Sequence, residues 1–216
     1  MKHKTLYIIS LLLIFVSCNK KNKELIITGT VKTSSTSANI QGANVTLSGK
    51  IIESGKWTNS YSQLATTTSD NNGKYTLTLD AVRVSEYKLS FTKENYIDDV
   101  KIMQPDDVST DNDNIIDVLL AVKSFLNINV KNIYPINEND YLSLTLSGDF
   151  KTCTSCCTDE KFEFKGTNID QNILCICPGS QNIVLNWDIL KGGSVSSHID
   201  TLLVNNFDTA NYVINY

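Results

Sequence analysis

The chain has 216 residues, with 19 lysines and arginines against 23 aspartates and glutamates and a formal net charge of −4. With 41% hydrophobic residues it is long enough to bury one large core or two small ones. The acidic balance argues against nucleic-acid binding, which needs clustered Lys and Arg to neutralise phosphates, and two histidines leave little for histidine-based chemistry.

Lys2, His3 and Lys4 precede an apolar run from Leu6 to Val16. A basic start followed by a run shorter than the ~20 apolar residues of a spanning helix is the layout of a cleaved signal peptide, assigned here to residues 1–17. The stretch Phe15-Val16-Ser17-Cys18 resembles the lipobox of bacterial lipoproteins. That resemblance implies cleavage before Cys18 and diacylglycerol on its thiol. Each buried acyl methylene would contribute about 0.8 kcal/mol to membrane binding. Loss of Lys2 and Lys4 takes the formal net charge from −4 to −6. The implied partner is a membrane and the implied location the bacterial cell envelope, with the outer membrane expected and its periplasmic or surface face left open. Residues 18–23 form a lipidated tether whose lysines, Lys20, Lys21 and Lys23, face lipid headgroups.

Beyond the tether, runs of Val, Ile, Thr, Tyr and Leu alternate with Gly, Asn, Asp and Ser clusters, and no segment sustains helical spacing. The fold class predicted is all-β, as two tandem Greek-key sandwiches over residues 24–123 and 124–216. Strands are predicted at 25–32, 43–48, 74–79, 87–92 and 115–122. In the third, Tyr75, Leu77 and Leu79 share one face and threonines take the other. The preceding turn, Ser69-Asp-Asn-Asn-Gly73, supplies residues that accept positive φ. Residues 51–64 read as an insertion, a long loop or extra hairpin, carrying Trp57 and Tyr61 as candidate ligand-binding aromatics.

Four pieces occur in order: Ile27-Thr-Gly-Thr-Val31, Ile40-Gln-Gly-Ala-Asn-Val-Thr-Leu47, Thr66-Thr-Thr-Ser-Asp-Asn-Asn-Gly-Lys-Tyr75, and Tyr87-Lys-Leu-Ser-Phe91 followed by Asn95-Tyr96. Together they resemble the carboxypeptidase regulatory-like domain, over residues 24 to 122. The resemblance implies a transthyretin-like, seven-stranded sandwich related to starch-binding-like modules. Asn95 stands where that family commonly has glycine, which predicts a left-handed backbone there. Carboxypeptidases that carry this accessory domain use a separate zinc domain for catalysis. The resemblance therefore implies a fold and no activity.

The second half continues in the same style. Strands are predicted at 142–146, 162–164, 173–177, 183–190 and 199–204, with a turn at Gly192-Gly193. A 99-residue shift aligns Val31-Lys32 with Val130-Lys131, Leu47-Ser-Gly49 with Leu146-Ser-Gly148, and Thr68 with Thr167. The second sandwich is accordingly expected to be Ig-like or a diverged repeat of the first. Trp187, inside an apolar strand, is assigned to the core, and His198 to the surface at a strand start.

Cys153, Cys156, Cys157, Cys175 and Cys177 all fall in this half. In an oxidising compartment they predict disulfides. Cys175 and Cys177 share a strand face at the limit of what one bridge spans, so both are expected to bond outward to the 153–157 loop, leaving one thiol over. Four thiolates around tetrahedral zinc, and a reactive thiol or intermolecular bridge, are the alternative readings.

No catalytic set is legible. Ser196-Ser197-His198-Ile199-Asp200 holds the residue types of a triad, but triads are assembled from distant segments. Ser48-Gly49-Lys50 and Ser54-Gly55-Lys56 lack the upstream glycine of a phosphate loop. Asp111, Asp113 and Asp117 offer oxygens suited to calcium, against the alternative of a solvated polar loop. The predicted function is a non-enzymatic, membrane-anchored envelope lipoprotein that binds or scaffolds another envelope protein. The alternative is a carbohydrate-binding lipoprotein of a polysaccharide-uptake or adhesion system, with a glycan as partner.

Overall fold

The computed structural model describes residues 23–53, 55–150, 153, 155–157 and 161–216. The predicted signal peptide and Cys18 lie outside them. The described residues are all-β, with one short 3-10 turn among them at Pro105–Asp107.

The first half supplies β1 (Glu24–Thr33), β2 (Asn44–Glu53), β3 (Lys56–Trp57), β4 (Ser62–Thr68), β5 (Lys74–Asp80), β6 (Val84–Thr92), β7 (Asp99–Met103), β8 (Asn114–Ile115) and β9 (Val118–Leu120). One sheet places β1 between antiparallel β5 and parallel β8 and β9; the other runs β4-β2-β6-β7. Period-two alternation aims Leu25, Ile27 and Val31 of β1 at Val45 and Leu47 of β2 and Leu89 and Phe91 of β6, all fully buried. The predicted insertion is the end of β2 with the small β2–β3 hairpin. Strands β4 and β7 were not anticipated: β4 is Thr-rich with few apolar residues, and β7 alternates two exposed apolar residues with charged ones.

The motif Ile40–Ala43 and the Ser69–Gly73 turn are parts of one clamp. Ser69 Oγ donates to the Ile40 carbonyl and accepts the Ala43 N–H, while the Asp70 carboxylate accepts the N–H groups of Asn72 and Lys74. Gly73 has φ +73°, and its carbonyl receives the Val31 N–H at 2.8 Å. Asn95 has φ +64°, the left-handed geometry expected of it.

The predicted strand 115–122 is interrupted. β8 and β9 both pair with β1, but at Ile116-Asp117 the Asp117 carboxylate, not a backbone carbonyl, receives the N–H and hydroxyl of Thr30, at 2.8 and 2.7 Å. The Ile116 carbonyl accepts the buried Tyr75 hydroxyl at 2.6 Å. Gly29 makes room, since a Cβ there would lie 2.0 Å from the Ile116 oxygen.

The second half supplies β10 (Lys123–Lys131), β11 (Tyr141–Ser147), β12 (Lys161–Lys165), β13 (Asp170–Pro178), β14 (Gln181–Lys191), β15 (Ser194–Val204) and β16 (Thr209–Asn215). Here β10 lies between antiparallel β13 and parallel β16, and the other sheet runs β12-β11-β14-β15. Strand for strand this is the topology of the first half, with β10, β11, β12, β13, β14, β15 and β16 in the places of β1, β2, β4, β5, β6, β7 and the β8/β9 pair. The repeat inferred from the 99-residue shift is therefore present in the architecture. The Ig-like alternative is corrected, because that fold pairs its first two strands in one sheet whereas β10 and β11 lie in different sheets. Strands β10 and β16 also escaped sequence reading, β16 because its Asn and Thr residues mask the inward Ile214.

Only Ala121 and Val122 separate β9 from β10, and both are tied to their surroundings. The Ala121 carbonyl accepts the Ile97 N–H, the Val122 carbonyl accepts the Gly179 N–H, and the Lys123 N–H donates to Asn95. Val122 and Ile97 are buried, and Tyr96 meets Phe207 edge-on at 5.7 Å.

Candidate functional site

The β2–β3 hairpin holds Trp57 75% exposed, a large apolar surface in water. Tyr61, in the following loop, is engaged differently. Its hydroxyl bonds the Glu86 carboxylate, and the ammonium groups of Lys50 and Lys88 lie 5.0 and 4.3 Å from its ring centre. Lys50 also bridges Glu86 at 2.7 Å. These contacts raise the Lys50 and Tyr61 pKa values and lower that of Glu86, in each case chiefly through the hydrogen bonds within the group. Trp57 is thus free to stack on a ligand, whereas the Tyr61 ring already carries two cations. The two residues do not make one flat aromatic platform.

The acidic stretch does not converge. Asp111 pairs with Lys23 at 2.9 Å, and Asp117 is turned to Thr30, whose hydroxyl and N–H hold its carboxylate below the ordinary range. Asp113 joins neither, and among the described residues no group of three or more His, Cys, Asp or Glu side chains is placed to share one ion.

The cysteines form two bridges, Cys153–Cys156 and Cys157–Cys175, with Cα separations of 5.4 and 5.5 Å. Two bridges and one spare thiol match the expected count, but the expected pairing needs correction. Cys177 does not reach the loop; it is fully buried, and burial pushes its thiol up to about 11. The reason is strand register. Cys175 lies opposite Leu126 and Cys177 opposite Ser124, which are the places Leu77 and Leu79 take against Ile27 and Leu25. Both cysteines therefore point into the sandwich, and only Cys175 lies where the loop folds over it. With Cys177 out of reach, the i, i+3 spacing of Cys153 and Cys156 closes a turn on itself. With four sulfurs paired and the fifth buried apart, the thiolate cage of the zinc reading is not assembled.

His198 is in the middle of β15 and not at a strand start, which corrects that expectation. Its ring stacks on Trp187 with centres 5.4 Å apart and planes 14° from parallel. Trp187 is half-buried and not wholly in the core as assigned. It occupies the place of Phe91 in the first sandwich, but at the open edge between β15 and β16, where Tyr212 meets it edge-on at 6.1 Å. Tyr212 donates to Asp200 at 2.5 Å; burial and that bond push the phenol up to about 12. Ser196 Oγ lies 3.2 Å from His198 Nε2. Asp200 is bound to Tyr212 and to the Thr201 N–H, not to His198, so no base-orienting relay exists.

A buried polar network that sequence reading missed closes the far end of this sandwich. Asn132 donates to Asp140 at 3.0 Å and to the Gly166 carbonyl at 3.1 Å, and receives Lys191 Nζ at 2.8 Å. Despite burial, the N–H groups of Ile136 and Asn137 and the Asn132 amide keep Asp140 below the ordinary carboxyl range. Asn132 to Asp140 form one loop without a motif, and Gly166 and Lys191 reach it only through the fold, which is why the sequence carried no sign of it.

Among the described residues no helix is long and apolar enough to cross a membrane. No protein-family model matches the chain, and no curated protein matches it. Solved structures that overlap it include the Bacillus anthracis TIE protein, at 9% identity and a TM-score of 0.37, covering 89% of this chain and 34% of that one. Another is the shaft pilin SpaA of Lactobacillus rhamnosus GG, at 9% and 0.32, covering 89% and 97%. A streptococcal ancillary pilin gives 11% and 0.33, covering 90% and 63%. This chain thus spans about a third of the TIE protein's length. Likenesses this loose transfer no ligand, partner or assembly.

Proposed function

We propose that the chain is a non-enzymatic envelope lipoprotein, anchored through Cys18, whose two sandwiches form a binding or scaffolding module. The observation that carries this reading is the junction: two repeats of one topology joined by two residues that are hydrogen-bonded to both sides. A connection so short and so tied holds a fixed geometry between modules, unlike a flexible linker. Asp200, the carboxylate of the triad-like stretch, is spent on Tyr212 and the Thr201 N–H, and Asp117 of the acidic stretch is spent on Thr30. On the same reading the first sandwich is a carboxypeptidase regulatory-like domain, supported by the coupling of its two motif pieces through Ser69. Fractionation of cells producing the Cys18→Ala chain tests the anchor: the variant should leave the membrane pellet, and retention there overturns it. Protease shaving of intact against lysed cells then assigns the face.

A second reading, a carbohydrate-binding module, is favoured by one feature, the exposure of Trp57. Trp57→Ala should abolish retention on a glycan column while leaving the fold intact; unchanged retention removes this reading.

A further inference from the structure

The sheet β12-β11-β14-β15 ends in the long edge strand β15. β15 runs eleven residues, Ser194–Val204, and pairs with β14 without a register shift. Its outward face presents Val195, Ile199 and Leu203, exposed by 70%, 70% and 56%. Edge strands are normally blunted by shortness, lysine, proline or a bulge. Its counterpart β7 is five residues long with Asp99 and Lys101, and β12 is five residues with Lys161, Glu163 and Lys165. β15 has no lysine, no proline and no bulge, and its one carboxylate, Asp200, is bound to Tyr212 and to the Thr201 N–H.

The hydrogen-bonding edge is open as well. The hairpin closes through Gly192 and Gly193, at φ +56° and +82°, so Lys191 and Ser194 form the first bonded pair. Alternation then turns the backbone groups of residues 195, 197, 199, 201 and 203 away from β14. In agreement, the Thr201 N–H is turned outward, where it bonds the Asp200 side chain at 2.7 Å, a bond that pairing with a second strand would exchange for a partner carbonyl.

We propose that β15 is a homodimerisation strand, which pairs antiparallel with β15 of a second copy about a two-fold axis at Ile199. Ile199 is the midpoint of the strand, so this register is the one that pairs all eleven residues. It sets Val195 opposite Leu203 of the other copy, Ser197 opposite Thr201, and Ile199 opposite itself, so apolar meets apolar along the outer face. On the inner face it sets His198 opposite Asp200, twice. A shift that centred the axis on Asp200 would instead oppose two carboxylates. In this register apolar side chains oppose apolar ones and the two Asp200 carboxylates are kept off one another, so the strand is complementary to itself, as an isologous interface requires. β13, the next longest edge strand, begins with Asp170 and ends in Pro178.

Single-cysteine cross-linking of the full chain in cell membranes tests the pairing and its register. Directly opposed residues have Cα atoms about 5.5 Å apart, within disulfide range, whereas residue 197 lies four positions, or about 13 Å, from its own copy. Ile199→Cys should give a disulfide dimer on mild oxidation. Ser197→Cys and Thr201→Cys should each stay monomeric, and the double variant should cross-link. All these positions face outward, so none threatens the fold. Absence of dimer in Ile199→Cys, or equal cross-linking of Ile199→Cys and Ser197→Cys, overturns the proposal. As an independent readout, Ile199→Lys should sediment as a monomer in detergent where the parent chain is a dimer; a monomeric parent also overturns it.

Discussion

Removing the Cys157–Cys175 bridge should destabilise the second sandwich and leave the first nearly untouched. The bridge closes a loop of sequence separation 18. In the chain-entropy treatment a loop of that length restricts the unfolded state by about 3 kcal/mol. For a unit of this size, that corresponds to a fall of about 12–24 °C in its melting temperature. The Cys153–Cys156 bridge, with a separation of 3, encloses too little chain to contribute comparably. The first sandwich has no cysteine, so its unfolding serves as the internal reference. The assay is chemical and thermal denaturation of the parent and of Cys157→Ala/Cys175→Ala, each with and without reductant. Reductant should lower the parent's second transition by about 3 kcal/mol and the variant's far less. A loss below about 1 kcal/mol in the parent, or an equal response from the variant, refutes the reasoning.

Alkylation should modify none of the cysteines at 153–177 in the native protein, one after denaturation, and five after denaturation with reduction. Mass spectrometry reads this directly, and native labelling would contradict the burial of Cys177. Gly29→Ala should cost about 1–3 kcal/mol, because its Cβ would meet a backbone oxygen that can yield only by moving β8 off β1; a change within about 0.5 kcal/mol in urea unfolding would contradict this. Asp117, Glu86, Glu163, Asp170 and Asp200 are all held below the ordinary carboxyl range by hydrogen bonds from Thr30, Lys50, Lys161, Lys131 and Tyr212 respectively. A folded pKa below the unfolded one stabilises above the unfolded value and is lost as pH falls through the folded one. The urea midpoint should therefore hold steady down to about pH 4 and decline below it. A midpoint that rises on acidification would contradict the assignment. In Asp117→Asn that decline should be shallower.

Much of the fold was legible in the sequence because strands with one buried face must alternate, and Leu25–Val31, Tyr75–Leu79 and Leu142–Leu146 do. The Ser69–Gly73 turn and Asn95 were legible for a related reason: their conformations are demanded locally and few residue types meet them. The 99-residue repeat was visible only as scattered matches, since core positions preserve size and apolarity while identities drift. Pairing across distance was not encoded locally. Sequence could count two disulfides and a spare thiol, but the register of β13 against β10 decided that Cys177 points into the core and leaves the loop to close on itself. Asp111, Asp113 and Asp117 looked like one set, until Thr30 and Lys23 drew two of them apart. Only the sheet order made β15 an edge, because which strand lacks a neighbour is a property of the whole sheet and not of any segment within it.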